Sequence, residues 1–152
     1  MKRLTKLMSV LAAGALFMGA LAGCGGSKDA GKAGDTIKVG GLLEMTGGSA
    51  SFGISSKNGI DLALKKINEK GVLGGKKLSL VVADTKSEAS EATNGMQKLV
   101  SQDKVVAVIG PNQSSAVIAA GAINNGSKVL GITPMGTNPD VTVDPKTKKT
   151  KE

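Results

Sequence analysis

The residues with the clearest chemical potential follow two short apolar runs, each at the point where a strand would end. Ser114 and Ser115 come just after the run Val105–Ile109 and the turn Gly110–Gln113, where a helix would begin. The first amides of a helix have no acceptor within the helix and carry a partial positive charge. A serine hydroxyl beside them adds another donor, so this position suits a small anion such as a carboxylate.

A second polar segment, Thr133–Thr137, follows the apolar run Val129–Ile132. Pro134 and Gly136 shape its backbone, and the Thr137 hydroxyl can join free backbone groups in binding a ligand. In open parallel sheets, ligands bind at the carboxyl ends of the strands, where both polar segments would lie. Each segment also has a purely structural interpretation, because serine at a helix start is commonly an N-cap and Pro-Gly loops are commonly turns.

Several enzyme chemistries are excluded by what the sequence lacks. There is no histidine in the 152 residues, so neither a His-based triad nor a His metal site can form. Neither Ser114 nor Ser115 lies in a Gly-x-Ser-x-Gly elbow, which makes a secreted serine hydrolase the poorest hypothesis. The turn Gly74–Lys77 is not a phosphate loop, because Lys70 and Lys77 replace its required glycine and hydroxyl residue. No catalytic residue, metal or cofactor is predicted.

Alternating apolar runs and helical periodicities predict an α/β fold, a parallel sheet with helices on both faces. Apolar residues recur at helical spacing along the three helices, which gives each one an apolar face. Asn125-Gly126 is expected to end the third helix. The elements in order are a strand at Thr36–Leu43, a loop at Glu44–Gly53, a helix at Asn58–Lys70 with Ile60, Ala63, Leu64 and Ile67 inward, a strand at Leu78–Ala83, a helix at Ser87–Gln102, a strand buried on both faces at Val105–Ile109, a helix at Ser115–Asn124, and a strand at Val129–Ile132.

The N-terminal segment has the composition of an export signal. Three basic residues, Lys2, Arg3 and Lys6, precede a mostly apolar stretch, and Leu21–Cys24 reads Leu-Ala-Gly-Cys. The apolar stretch is short for a membrane-spanning anchor, which favours a secretory signal peptide over residues 1–23. The Leu-Ala-Gly-Cys pattern resembles the lipobox of bacterial lipoproteins, and this resemblance implies that Cys24 is lipid-modified. Residues 24–35 would then form a flexible tether.

Composition narrows the choice of partners. The formal net charge is +8, which alone could suggest a nucleic-acid partner. An exported protein is separated from nucleic acid by the membrane. In addition, the two aromatic residues, Phe17 and Phe52, are too few for a base-stacking platform. The single cysteine also rules out an intrachain disulfide. We interpret residues 143–152 as a solvated basic tail, because four lysines crowd its last seven residues: Lys146, Lys148, Lys149 and Lys151.

An ordered set of motifs over residues 35–142 resembles the leucine/isoleucine/valine-binding family, the substrate-binding lipoproteins of branched-chain amino acid ABC transporters. The resemblance implies the first lobe, residues 36–142, of a type I periplasmic binding protein fold, in which two α/β lobes close on an amino acid. The motifs are Ile37–Val39, Thr46-Gly47 with Gly53, Asn58-Gly59-Ile60 through Asn68 and Gly71, Gly74–Leu78, Asp84, Val108–Pro111 with Ser114, and Ile132–Pro134 with Thr137–Pro139.

The same resemblance implies roles for five residues. Ser114 would hold the ligand carboxylate through its hydroxyl, and Thr137 would join it through its backbone and hydroxyl. The carbonyl of Met135 would face the ligand ammonium, with Gly136 in the same ligand-binding loop. Phe52 falls where the family places an aromatic near the ligand.

The function implied is capture of a small, branched-chain amino acid for an ABC importer, with the protein lipid-anchored outside the cytoplasmic membrane. Two alternatives remain open: a ligand-sensing receptor subunit of the same fold that binds amides or other small polar solutes, and a non-functional gene fragment. The family's second lobe is not in the printed sequence, which ends at Glu152. We expect one lobe to bind weakly, because closure of two lobes excludes water from the cleft.

Overall fold

The computed structural model describes residues 36–71 and 73–150. Its four strands form one parallel sheet in the order β2-β1-β3-β4, which confirms the predicted parallel α/β architecture. The elements are β1 Thr36–Leu43, α1 Ala50–Lys70, β2 Lys77–Asp84, α2 Ala89–Ser101, β3 Ala107–Ile109, α3 Ser114–Ser127, β4 Leu130–Ile132 and a short 3₁₀ helix Pro139–Val141.

One face of the sheet carries the main hydrophobic core. Leu42 of β1 and Val108 of β3 are fully buried on this face against α2 and α3. Both helices contribute small or flexible residues here, so they can lie close to the strands and to each other. The helix residues of the core are Ala92, Met96, Leu99, Ala116 and Ala120.

The opposite face is only half covered. Leu43 of β1 is fully buried, and α1 packs over β1 and β2. The strand register places Leu130 and Ile132 of β4 on this same face, where they remain 63% and 54% exposed. The described residues therefore leave an apolar strip over β3 and β4, formed by Ala107, Ile109, Leu130 and Ile132, which we call the open face.

The open face corrects the expectation for the third strand. That strand was expected at Val105–Ile109, buried on both faces, but β3 is limited to Ala107–Ile109. Val105 is buried and reaches the core, whereas Val106 is 59% exposed and Ile109 only partly buried. The apolar run predicts a strand buried on both faces. Burial of the second face requires a covering layer, which the described residues do not supply.

The start of α1 was predicted eight residues too late. The helix begins at Ala50 rather than Asn58, so it takes in the end of the loop expected at Glu44–Gly53. Serines and a glycine make its first turns poor helix formers, and contacts with the rest of the fold stabilise them instead. Gly53 lies directly over the backbone of Glu44, where an added Cβ would come within 2.1 Å of the Glu44 carbonyl oxygen.

Two other details of the helices differ from expectation. The third helix continues through Asn125-Gly126 to Ser127, and Lys128 in the left-handed conformation caps it. In α1, Ile60 is buried, but Ala63 is exposed, while Leu64 and Ile67 are partly buried. The helix therefore contacts the sheet along the line of Gly53, Ile60 and Ile67, and Ala63 lies outside this line.

The region expected to be a basic tail contains a turn organised by Asp144. Its carboxylate accepts hydrogen bonds from the amides of Lys146 and Thr147, both at 2.8 Å, and Val143 pairs with Thr150. The lysines of this turn are exposed. The signal peptide and tether expected over residues 1–35 lie outside the described residues. Within residues 36–71 and 73–150, no helix is both long and apolar enough to span a membrane.

Candidate functional site

The candidate site lies at the carboxyl edge of the sheet, where β1, β3 and β4 are neighbours. The loops that follow β3 and β4 meet there, together with the start of α1. This arrangement places Ser114 and the segment Thr133–Thr137 at one edge, as expected for a ligand site of a parallel sheet.

Ser114 is the first residue of α3 and is partly buried. The N-cap of this helix is Gln113, which makes no side-chain cap hydrogen bond, and Ser115 is the second helical residue. Neither serine occupies the N-cap position that the structural interpretation would require. The Ser114 Oγ accepts a hydrogen bond from the Asn138 amide at 3.3 Å, which brings the loop after β4 against the first turn of α3.

The loop after β4 is held by Thr133, a residue that sequence reasoning did not single out. Its Oγ1 donates to the Pro111 carbonyl at 2.7 Å and accepts from the Gly136 amide at 3.0 Å. These two bonds connect the loop after β3 with the Met135-Gly136 turn. A Cβ on Gly136 would lie 2.9 Å from the Thr133 side chain, so the turn has no room for a larger residue.

The remaining sequence-derived site residues lie in the loop after β4 and in the first turn of α1. Met135 is 41% exposed, Phe52 is 49% exposed, and Thr137 is also exposed. Phe52 lies in the first turn of α1, three residues after Ser49, whose Oγ accepts from the Gln113 Nε2 at 2.7 Å. The beginnings of α1 and α3 are thus joined directly. Cys24 lies outside the described residues.

Glu44, which the sequence analysis treated only as a loop residue, is fully buried behind the site. Its Oε1 accepts from the amides of Asn112 and Gln113 at 3.0 and 3.2 Å, and its Oε2 accepts from the Asn112 Nδ2 at 2.9 Å. The available signal was an acidic residue directly after a strand, but the sequence does not show which distant donors meet it.

A second carboxylate, Asp84, fixes the loop after β1. It accepts from the Thr46 hydroxyl at 2.7 Å and from the amides of Met45, Thr46 and Lys86. Burial raises the pKa of Asp84, but the hydrogen bond from the Thr46 hydroxyl and those from the three amides outweigh burial, so its pKa lies below the ordinary value of 3.8. The ionised form of Asp84 is therefore the one that the folded loop stabilises.

In the part of the chain that the structure describes, no three His, Cys, Asp or Glu side chains come together as metal ligands. The donors at the carboxyl edge are amides and hydroxyls, which suit an anionic or zwitterionic organic ligand.

Comparison of the sequence with known proteins identifies the family of this chain. A sequence model described as periplasmic binding protein matches residues 36–148. This chain belongs to the periplasmic binding protein family. Within it, the resemblance to the substrate-binding proteins of branched-chain amino acid ABC transporters is confirmed by both sequence relatives and solved structures. Membership implies an extracytoplasmic location.

Two sequence relatives illustrate the similarity. The chain is 40% identical over 97 residues to an "Amino acid binding protein" of Pseudomonas aeruginosa, a match that covers 64% of this chain and 26% of the relative. It is 34% identical over 106 residues to the "Leu/Ile/Val-binding protein BraC3" of Rhizobium johnstonii, covering 70% of this chain and 29% of the relative.

Solved structures of periplasmic binding proteins agree with the fold. The branched-chain amino acid transporter substrate-binding protein LivJ of Streptococcus pneumoniae, solved in complex with isoleucine, is 39% identical with a TM-score of 0.68. The leucine-binding protein LivK of Thermotoga maritima is 38% identical with a TM-score of 0.63. The matches cover 70% of this chain but 31% and 29% of those proteins, so this chain spans less than one third of their length.

Proposed function

We propose that this chain supplies the N-terminal, carboxylate-binding lobe, residues 36–142, of an extracytoplasmic protein that captures branched-chain amino acids for an ABC importer. One observation carries the proposal: Ser114 stands in the first turn of α3, directly against the loop after β4 through the Asn138 amide. The relative named Leu/Ile/Val-binding protein BraC3 is similar to this chain in sequence, and the isoleucine-bound LivJ is similar to it in fold.

The proposed chemistry is recognition of a zwitterion, without catalysis. The first-turn amides of α3 and the Ser114 hydroxyl bind the ligand carboxylate, because a helix N-terminus stabilises negative charge. Thr137 adds backbone and hydroxyl contacts, and the Met135 carbonyl faces the ammonium. Phe52 and the Met135-Gly136 turn lie beside the aliphatic side chain.

Binding can be tested on the chain itself by following its amide signals in NMR spectra during titration with L-leucine, L-isoleucine and L-valine. We expect saturable shifts at Ser114, Ser115 and Thr137, at high ligand concentration because the cleft remains open to water. Ser114→Ala should weaken binding about ten- to hundredfold, the equivalent of one hydrogen bond to a charged group of roughly 1.5–3 kcal/mol.

Ser115→Ala is the matched control, because the neighbouring serine is exposed and belongs to the same helical turn. It should leave binding nearly unchanged. A fusion of this lobe to the remaining lobe of the Streptococcus pneumoniae relative should bind the same amino acids tightly. Absence of saturable shifts in the chain, together with absence of binding in the fusion, would reject the proposal.

We further propose that lipid on Cys24 anchors the protein to the outer face of the cytoplasmic membrane, with residues 1–23 as the signal peptide and residues 24–35 as the tether. The lipobox sequence supports this. In cells, the wild-type protein should partition into detergent, and Cys24→Ala should move it to the aqueous phase. Detergent partitioning that survives Cys24→Ala after signal removal would contradict a lipid anchor.

A further inference from the structure

Glu44 has an environment that the proposed binding mode leaves unexplained. Among the described residues, Glu44 is a charged side chain with no exposure to solvent, at 0%. A carboxylate removed from water is tolerated only where donors replace its hydration. Glu44 has three such donors, and all of them belong to Asn112 and Gln113.

Those donors lie immediately before α3, next to the amides proposed to hold the ligand. Glu44 accepts from the amides of Asn112 and Gln113, whereas the following three amides belong to the first turn of α3 and have no acceptor within the helix. The amides at the N-terminal end of α3 thus form two groups. Those of Asn112 and Gln113 bind the buried Glu44 carboxylate, and those of the first turn face an open position where a ligand carboxylate can bind.

We propose that Glu44 is a positioning residue of the ligand site. Its carboxylate fixes the Asn112-Gln113 segment, and this orients the first-turn amides of α3 and the Ser114 hydroxyl towards the ligand carboxylate. The inference rests on the proposed function, because it assigns Glu44 a role in the same site. Because Glu44 is fully buried, its proposed action on the ligand is indirect, through Asn112 and Gln113.

Contacts from α1 and its N-cap hold both Glu44 and the Asn112-Gln113 segment in place. The Ser56 hydroxyl donates to the Asn112 Oδ1 at 3.2 Å, and Gly53 packs onto the Glu44 backbone. The Gln113 side chain reaches Ser49 at the N-cap of α1. The geometry of the proposed carboxylate position therefore depends on a junction of β1, α1 and α3.

The experiment exchanges the charged and amide partners. Asn112→Asp places two carboxylates against each other and should weaken L-leucine binding about tenfold or more, because a buried hydrogen bond to a charged group is replaced by repulsion. Glu44→Gln should weaken it severalfold. The double variant restores an amide–carboxylate pair and should bind better than Asn112→Asp alone, which is the coupling that a double-mutant cycle detects.

The readout separates positioning from general stability. Dissociation constants for L-leucine and for L-leucinamide, which lacks the carboxylate, are measured by NMR titration of the full chain, beside the melting temperature. In Asn112→Asp, the preference for leucine over leucinamide should fall. Leu99→Ala should lower the melting temperature and leave that preference unchanged. Glu69→Gln, at a glutamate exposed on α1, should alter neither.

Each result decides the question. Wild-type preference for leucine in Asn112→Asp, or strictly additive effects in the double variant, would overturn the role of Glu44 while the proposed function stands. If Asn112→Asp does not fold, recovery of both the fold and leucine binding in the double variant supports the role, and recovery of the fold alone overturns it. Failure of the wild-type chain and of the two-lobe fusion to bind any of the three amino acids would remove both proposals.

Discussion

Gly53 shows at the scale of one residue how the position of α1 is determined. A side chain here would meet the backbone of Glu44 at 2.1 Å, well inside contact distance. Alanine normally favours a helix over glycine, but the clash requires α1 to move away from β1. We expect Gly53→Ala to lower the free energy of unfolding by about 1–3 kcal/mol, as for overpacked positions, in urea denaturation.

Gly59 provides the matched control in the same helix. A Cβ there meets no atom within 4 Å. Gly59→Ala should therefore stabilise the chain by about 0.5–1 kcal/mol, the usual gain on replacing a helical glycine. If both substitutions shift the urea midpoint in the same direction, the close contact at Gly53 does not control the placement of α1.

Asp84 predicts a pH dependence of stability. Its pKa in the folded chain lies below 3.8, so the folded state favours the ionised carboxylate. The contribution is fully present above the unfolded-state pKa and is lost as the pH falls through the lower folded-state value. Asp84→Asn should destabilise the chain near neutral pH, and its difference from wild type should shrink as the pH falls below about 4. A difference independent of pH would show that the Asp84 charge has no part in it.

At the scale of an element, α2 is held by its buried side. Leu99 is fully buried in the core, whereas Leu62 on α1 is 54% exposed. Leu99→Ala should cost about 2–5 kcal/mol of unfolding free energy in urea denaturation, because it leaves a cavity between α2 and the sheet. Leu62→Ala should change stability by no more than about 0.5 kcal/mol. Similar losses for both would contradict the packing described for α2.

Elements whose signals are local could be predicted from the sequence. β1 was placed with its full extent, and the other strands were located within two residues at each end, because apolar runs bounded by turns identify strands. The first two turns of α1 could not be found, since their stability comes from contacts with Glu44 and Asn112. The site divides in the same way. Ser114 follows a recognisable strand and turn, whereas Glu44 meets its donor 68 residues later in the chain.

At the scale of the whole molecule, the open face over β3 and β4 is an exposed apolar surface in the described part of the chain. Such surfaces promote association, and β4 is also a strand at the edge of the sheet. Leu130→Lys combined with Ile132→Lys should reduce concentration-dependent self-association in sedimentation experiments. Each substitution should alter stability by no more than about 0.5 kcal/mol, because both side chains already face solvent.

Val108→Lys is the control on the opposite face of the same sheet. Val108 is fully buried among α2 and α3, so a charge there should prevent folding. Loss of the fold in the Leu130 and Ile132 variant would instead mean that the open face contributes to the core. Unchanged self-association would mean that the open face does not mediate it.

The exposed position of Phe52 has an optical consequence. The sequence contains no tryptophan and no tyrosine, so the wild-type chain has almost no intrinsic fluorescence. Phe52 is 49% exposed at the start of α1, beside the junction that carries the proposed ligand site. Phe52→Trp would introduce a single fluorophore with room to be accommodated and with no background emission from the rest of the chain. Its emission maximum would report directly on the solvent exposure of that edge of the sheet, before and after an amino acid or a second lobe covers it.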